Sequence, residues 1–257
     1  MKQITLLFFL LSSFLLQADS IKEAVFNDNR SSENVIRDQY RNPYETLSFF
    51  KITPDMTVVE LSPGGGWYTE ILANLLNPAG KLIAAHFDKN SKSDFLKRSR
   101  AKFENKMKNN PMYQEVNIVD LNSKLATQDS VDAILTFRNL HNWLGPLMDT
   151  IFENSFNALK PGGIFGVVEH RANPRTTLKK MKDSGYVTEA YAIEIAKKHG
   201  FEFIAKSEIN ANPKDYKDYP KGVWTLPPTL RLKEEDKNKY LEIGESDRMT
   251  LLFKKPI

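Results

Sequence analysis

From about residue 57 onward, short apolar runs alternate with segments whose apolar residues return at helical spacing. Runs over 57–61, 81–86, 113–119, 131–137, 164–169, 201–207 and 248–254 read as strands, several of them apolar enough to be buried on both faces. Between them, 67–76, 93–108, 145–159 and 188–199 read as helices. Phe95, Leu96, Phe103 and Met107 form the expected inner face of the second helix, and Ala190, Ile193 and Ala196 that of the fourth. Asn77-Pro78-Ala79-Gly80 ends the first helix, and Lys160-Pro161-Gly162-Gly163 ends the third. Regular alternation of strand and helix is the pattern of a parallel sheet covered on both faces.

The chain outside this pattern divides into three stretches. Residues 19–56 are polar with scattered apolar positions, and read as a helical cap with one or two short helices before a helix over 44–50 that Pro43 starts. Residues 210–236, rich in Pro, Lys, Asp and Tyr, read as an insertion between the last two strands. Residues 1–18 are different: Lys2, an almost wholly apolar run over 4–16, then Gln17-Ala18-Asp19. This is the form of a secretory signal peptide cleaved after Ala18, and it makes the protein an exported, periplasmic one. An uncleaved membrane anchor through 4–16 is the alternative, although the run is short for a bilayer span.

The most distinctive local feature joins the first strand to the first helix: Glu60-Leu61-Ser62-Pro63-Gly64-Gly65-Gly66-Trp67-Tyr68. Consecutive glycines permit positive φ and close approach of a ligand to the backbone. The helix that follows directs its N-terminal amides at the turn. A strand, glycine turn and helix early in an α/β domain form a nucleotide-type cofactor site.

Composition narrows the function classes little. The protein is 41% hydrophobic and 26% charged, with a formal net charge of +4 over 257 residues. That charge does not argue for a nucleic-acid partner, and no nucleic-acid-binding motif is present. The basic run over 89–108 reads as the wet face of a helix. Absence of cysteine excludes disulfides and thiolate metal ligands, and suits a bacterial periplasm. No metal site is expected.

The order of elements, the glycine turn and Leu159-Lys160-Pro161-Gly162-Gly163 resemble a class I S-adenosylmethionine-dependent methyltransferase. Arg41-Asn42-Pro43, Pro63 to Glu70, His86-Phe87-Asp88 and Glu245-Ser246-Asp247-Arg248-Met249 are similar to a group of predicted bacterial methyltransferases that often carry signal peptides. The resemblance implies a Rossmann-like fold, a mostly parallel seven-stranded sheet with helices on both faces. It implies S-adenosyl-L-methionine as cofactor and a small-molecule methyl acceptor.

By that resemblance, Glu60 lies near the methionine amino group, and Gly64, Gly65 and Gly66 leave room for the cofactor, with Ser62 where the family has its first glycine. Trp67 or Tyr68 packs on the sulfonium or else on the cap. The acid that holds the ribose is replaced by His86, with Asp88 two residues on; a carboxylate accepts both hydroxyl bonds, a neutral histidine one. Asp120 takes the place of the acid against the adenine amino group. Arg138-Asn139-Leu140-His141-Asn142-Trp143 follows strand four, at the edge that faces ligands in such sheets. Here Arg138 is a cofactor contact, and His141 is the candidate general base of an O-methyl transfer or a structural residue. Glu169-His170-Arg171 reads as a solvated strand end or as part of the pocket. Two other readings stay open: an NAD-dependent oxidoreductase, against which Thr69 stands at the third glycine place, and an exported binding protein with this fold and no turnover.

Overall fold

The computed structural model describes residues 20–257; the expected signal peptide or anchor lies outside the described residues. Among these, no helix is long and apolar enough to cross a membrane. The sheet has seven strands: β1 (Thr57–Leu61), β2 (Lys81–His86), β3 (Asn117–Asp120), β4 (Val131–Phe137), β5 (Leu159–His170), β6 (Glu202–Ser207) and β7 (Arg248–Lys254). Their order is β3-β2-β1-β4-β5-β7-β6. β1 to β5 are parallel, and β7 runs antiparallel between β5 and β6. The C-terminal ends of β1, β4 and β5 therefore open on one edge, beside the first residue of β7.

The strands alternate their side chains between two cores, as the pleat requires. Val59, Leu61 and Ile134 face one cluster with Met148, Phe152 and Ala196. Val58, Ala133 and Leu135 face the other, with Ile71, Leu72 and Leu47. The helices that cover these faces are α5 (Trp67–Leu76), α6 (Asp94–Lys108), α8 (Pro146–Ala158) and α10 (Glu189–Lys198), and a one-turn helix, α7 (Leu140–Trp143), precedes α8. Before β1, short helices α1 (20–25), α2 (Ser32–Val35), α3 (Asp38–Arg41) and α4 (Pro43–Phe49) pack against α5. Ile21 and Val25 are buried with Leu72 and Leu75, and Trp67 Nε1 donates to the Asn34 carbonyl at 2.9 Å.

Several expected details differ. Residues Pro111–Tyr113 form a 3-10 turn, so β3 starts at Asn117 rather than near 113. Phe95 points outward, 68% exposed, and Arg100 takes its place on the buried face of α6. The guanidinium of Arg100 is engaged at depth, donating to Phe87 O at 2.8 Å and Asp120 Oδ1 at 3.0 Å. On α10, Ala190 is exposed and Ala192 is buried. Thr188 caps that helix, its Oγ1 accepting the Tyr191 amide at 3.2 Å, and this sets the phase. β5 begins at Leu159, which pairs with Val131 before the register shifts. Residues 210–236, the expected insertion, pack onto the rest of the fold. With α9 (Leu178–Ser184) and α11 (Lys237–Ile243) they bury Tyr186, Tyr219, Val223, Leu226 and Tyr240 in a third apolar cluster.

Candidate active site

The glycine turn leaves β1 with its backbone already bent. Ser62 has φ of 50°, Gly64 of 61° and Gly66 of 84°. The Ser62 amide donates to Ala85 O on β2 at 2.8 Å. From the β4 side, Asn139 Nδ2 lies 3.2 Å from both Leu61 O and Ser62 O. From α6, Lys106 Nζ donates to Gly65 O at 3.0 Å and to Glu70 Oε1 at 2.8 Å. The turn is thus held from three sides.

A methyl group placed on Gly64 or Gly65 meets nothing within 4 Å, so the turn borders open space. Ser62 Oγ is buried and has no hydrogen-bond partner among the described residues. An open glycine cradle with an unsatisfied hydroxyl fits a bound nucleotide-type cofactor. Glu60 adjoins it, buried, and accepts from Thr69 Oγ1 on α5. Burial pushes its carboxyl up to about 7, only partly offset by Thr69, Lys106 and Arg138.

Tyr68 is packed into the wall of the site. Its ring stacks on Phe137 at 3.5 Å and meets Trp67 edge-on, and its hydroxyl donates to Arg41 O at 3.3 Å. These contacts tie it to the end of β4 through Phe137 and to the cap through Arg41. His86 differs from expectation. Its Nδ1 accepts the Phe87 amide at 2.7 Å, and its Nε2 stands 3.2 Å from Gly64 O. Those partners require the neutral Nε2–H tautomer. Neither nitrogen is left for a ribose hydroxyl, so His86 is a lock on the glycine turn instead. Burial holds the imidazole below its ordinary value.

Asp88 lies just past β2, where Oδ1 accepts the Asn90 amide at 2.7 Å in a local turn. Asp120 is in register with His86 across β2 and β3, and Arg100 engages one of its oxygens.

At the β4 and β5 ends the structure joins two motifs that are distant in sequence. Glu169, 0% exposed, accepts from His141: Nδ1 lies 3.0 Å from Oε1, and the His141 amide 3.4 Å from Oε2. The His170 amide donates to the same carboxylate at 2.7 Å. A solvated strand end is therefore the wrong description of Glu169. His141, Glu169 and His170 offer donor atoms all within 4.8 Å of one another, a grouping that could hold a metal ion. Two features disfavour that use. The Glu169 oxygens already accept three hydrogen bonds, and His170 Nδ1 is paired with Ser246 Oγ. Burial first, then the charges of His141, Arg248 and Arg138, hold His170 well below the usual histidine range, and the same field opposes a further cation. The trio is a hydrogen-bonded cluster at the β4 and β5 ends.

Trp224, from the expected insertion, lies edge-on to His141 with centroids 5.9 Å apart. Neither Trp224 nor Arg100 is marked by a sequence motif of its own, whereas Asn139 belongs to the 138–143 stretch. The Glu245 to Met249 segment is part of the family resemblance, yet its place beside His170 follows only from the β5–β7 register, His170 opposite Arg248.

No curated protein is similar to the chain in sequence. Among solved structures, an S-adenosylmethionine-dependent methyltransferase from Aquifex aeolicus superposes with a TM-score of 0.58 at 14% identity, over 92% of this chain and 97% of that one. A geranyl diphosphate methyltransferase in complex with S-adenosylmethionine gives 0.58 at 10%, over 91% and 94%. The [4+2]-cyclase SpnF gives 0.61 at 15%, over 90% and 86%, so the shared architecture does not by itself specify methyl transfer. These likenesses establish the Rossmann-like class I methyltransferase fold. The model of the ubiE/COQ5 methyltransferase family matches residues 35–220, which holds the glycine turn, His86, Arg138, His141 and Glu169. By that match the chain belongs to the ubiE/COQ5 methyltransferase family.

Proposed function

We propose that the protein transfers a methyl group from S-adenosylmethionine to an oxygen of a small-molecule acceptor, with His141 as general base. Family membership supports the reaction class. The observation that carries the finer reading is the 3.0 Å contact between His141 Nδ1 and the fully buried Glu169.

The cofactor supplies a methyl group activated on a sulfonium. The protein's own part is placement and proton removal. The glycine turn, Glu60 and Ser62 hold the donor at the end of β1. Glu169 accepts Nδ1–H of His141, which fixes the ring and leaves Nε2 as the proton acceptor. An acceptor hydroxyl against Nε2 loses its proton as its oxygen attacks, and His141 becomes imidazolium beside the Glu169 carboxylate. Trp224 and Tyr68 wall the cleft with rings and limit water there. Holding donor and acceptor in line supplies most of the expected acceleration.

The oxidoreductase and non-catalytic readings gain no supporting observation. Export, with 1–18 as a cleaved signal peptide, belongs to the proposal, and N-terminal sequencing of the mature protein tests it. The central test has two parts. Calorimetry should show binding of S-adenosylmethionine and S-adenosylhomocysteine, and none of NAD. A panel of small hydroxylated acceptors should then yield S-adenosylhomocysteine. Selective NAD binding, or nucleoside binding with no turnover on any hydroxylated compound and turnover on a carbon or nitrogen acceptor, would overturn the reading.

A further inference from the structure

Three guanidinium groups share one carboxylate at the rim of the site, and a fourth lies near it. Arg37 donates to Glu245 Oε1 through Nε and Nη2, at 2.7 and 2.6 Å. Arg41 Nε lies 3.2 Å from Glu245 Oε2, and Arg248 Nη2 donates to the same oxygen. The fourth group, Arg138, is near enough to Arg248, Glu245 and Arg37 to interact with each electrostatically. Its backbone amide donates to Val168 O, but its side chain makes no hydrogen bond among the described residues.

The other acids nearby are committed elsewhere. Asp38 is held bidentately by Arg30, and Glu169 by His141. The result is a surplus of positive charge with little water to dissipate it. Arg41 and Arg248 are 3% and 1% exposed, and both Arg41 Nη1 and Arg248 Nε are buried without a partner among the described residues. Burial and the charge of Arg248 also hold Arg138 down to about 10.

These atoms belong to the ligand-facing edge. Arg41 ends α3, its backbone carbonyl accepts from Tyr68, and its guanidinium lies over Trp67 at 4.6 Å. Arg138 directly follows Phe137, on which Tyr68 stacks. Arg248 opens β7 opposite His170. Buried N–H donors without acceptors are costly, and charged ones more so. Planar guanidinium donors match a carboxylate best.

We infer that Arg41, Arg138 and Arg248 form an anion subsite that takes a ligand carboxylate. The identity of that ligand rests on the methyl-transfer reading. The carboxylate belongs either to the methionine end of the cofactor or to an acidic acceptor, and the same donors recognise both.

Calorimetry on the full chain distinguishes the two, with S-adenosylhomocysteine, its decarboxylated analogue and benzoate as probes. If the cofactor supplies the carboxylate, wild type binds the decarboxylated analogue about 10- to 100-fold more weakly. Arg138→Met then erases the difference, and Arg138→Lys restores part of it. If the acceptor supplies it, wild type binds both nucleosides equally. Benzoate then binds protein saturated with S-adenosylhomocysteine, and fails to bind saturated Arg138→Met. Equal binding of the two nucleosides, with no benzoate binding to the saturated protein, overturns the inference. Should neither nucleoside bind, the methyl-transfer reading falls and the subsite is judged alone. Benzoate binding by wild type and Arg138→Lys but not Arg138→Met supports it, and its absence from wild type overturns it. The comparison of two ligands on wild type needs no variant to fold.

Discussion

His141 Nδ1 and Glu169 Oε1 are 3.0 Å apart, and the carboxylate has no access to solvent. A buried carboxylate on one imidazole nitrogen fixes which nitrogen remains basic. Once an acceptor is known, His141→Ala should lower methyl transfer by about 10² or more with cofactor affinity unchanged. Glu169→Gln should lower it as well, because an amide can present its N–H to Nδ1 and favour the wrong tautomer. Single-turnover rates measured beside S-adenosylhomocysteine affinity check this. Unchanged rates in His141→Ala would remove its role as base.

Glu60 makes a separate prediction through protons. Its carboxyl is pushed up to about 7 by burial, so much of it is protonated in the free protein at pH 6. A ligand ammonium beside it favours the carboxylate. Binding of S-adenosylhomocysteine at pH 6 should therefore release protons, approaching one per site, and release should vanish near pH 8. Calorimetry in buffers of different ionisation enthalpy measures the number directly. Glu60→Gln should bind with no release at either pH. Equal release by that variant would place the titrating group elsewhere.

The lock on the glycine turn predicts a split between folding and binding. His86 joins the start of the β2 loop to Gly64 O. His86→Leu keeps the volume roughly but leaves that carbonyl and the Phe87 amide without partners. It should cost about 1–3 kcal/mol in urea unfolding. Amide exchange should quicken in the turn over residues 62–66, while the β4 and β5 amides stay protected. Uniform loss of protection across the sheet would mean that His86 supports the core and not the turn.

The chain discloses part of this arrangement before it folds. β1, the turn and α5 are legible because an apolar run, three glycines and a helical repeat are all local signals, and α5 falls on Trp67–Leu76 as expected. Helix phase is less legible where a long side chain competes: Phe95 and Arg100 exchange faces because the Arg100 guanidinium finds acceptors at Phe87 and Asp120 inside. His86 occupies the place of a ribose acid in the linear motif, but the fold presents Gly64 O to it. Glu169 looks like a wet strand end until α7 brings His141 over it. The arginine group is the least legible, since Arg41 and Glu245 lie at opposite ends of the chain and meet only through the position of β7 beside β5.

Two buried groups act on stability against pH with opposite sign. His170 is held well below its ordinary value by burial and by the charges of His141, Arg248 and Arg138. The unfolded chain therefore takes up that proton first as pH falls through about 6.5, and folding stability is lost from there downward. Glu60 has a raised value of about 7 against 4.5 unfolded. Its folded form keeps a proton that the unfolded form has lost, so it contributes stability as pH falls from about 7 toward 4.5. Each group has a limiting slope of about 1.4 kcal/mol per pH unit. Between pH 6.5 and 5 the two slopes oppose, and wild type should show a shallow dependence. Urea unfolding across this range should become more stable toward low pH in His170→Gln, relative to wild type. It should become less stable toward low pH in Glu60→Gln. Parallel curves for the two variants would show that neither group carries the shift assigned to it.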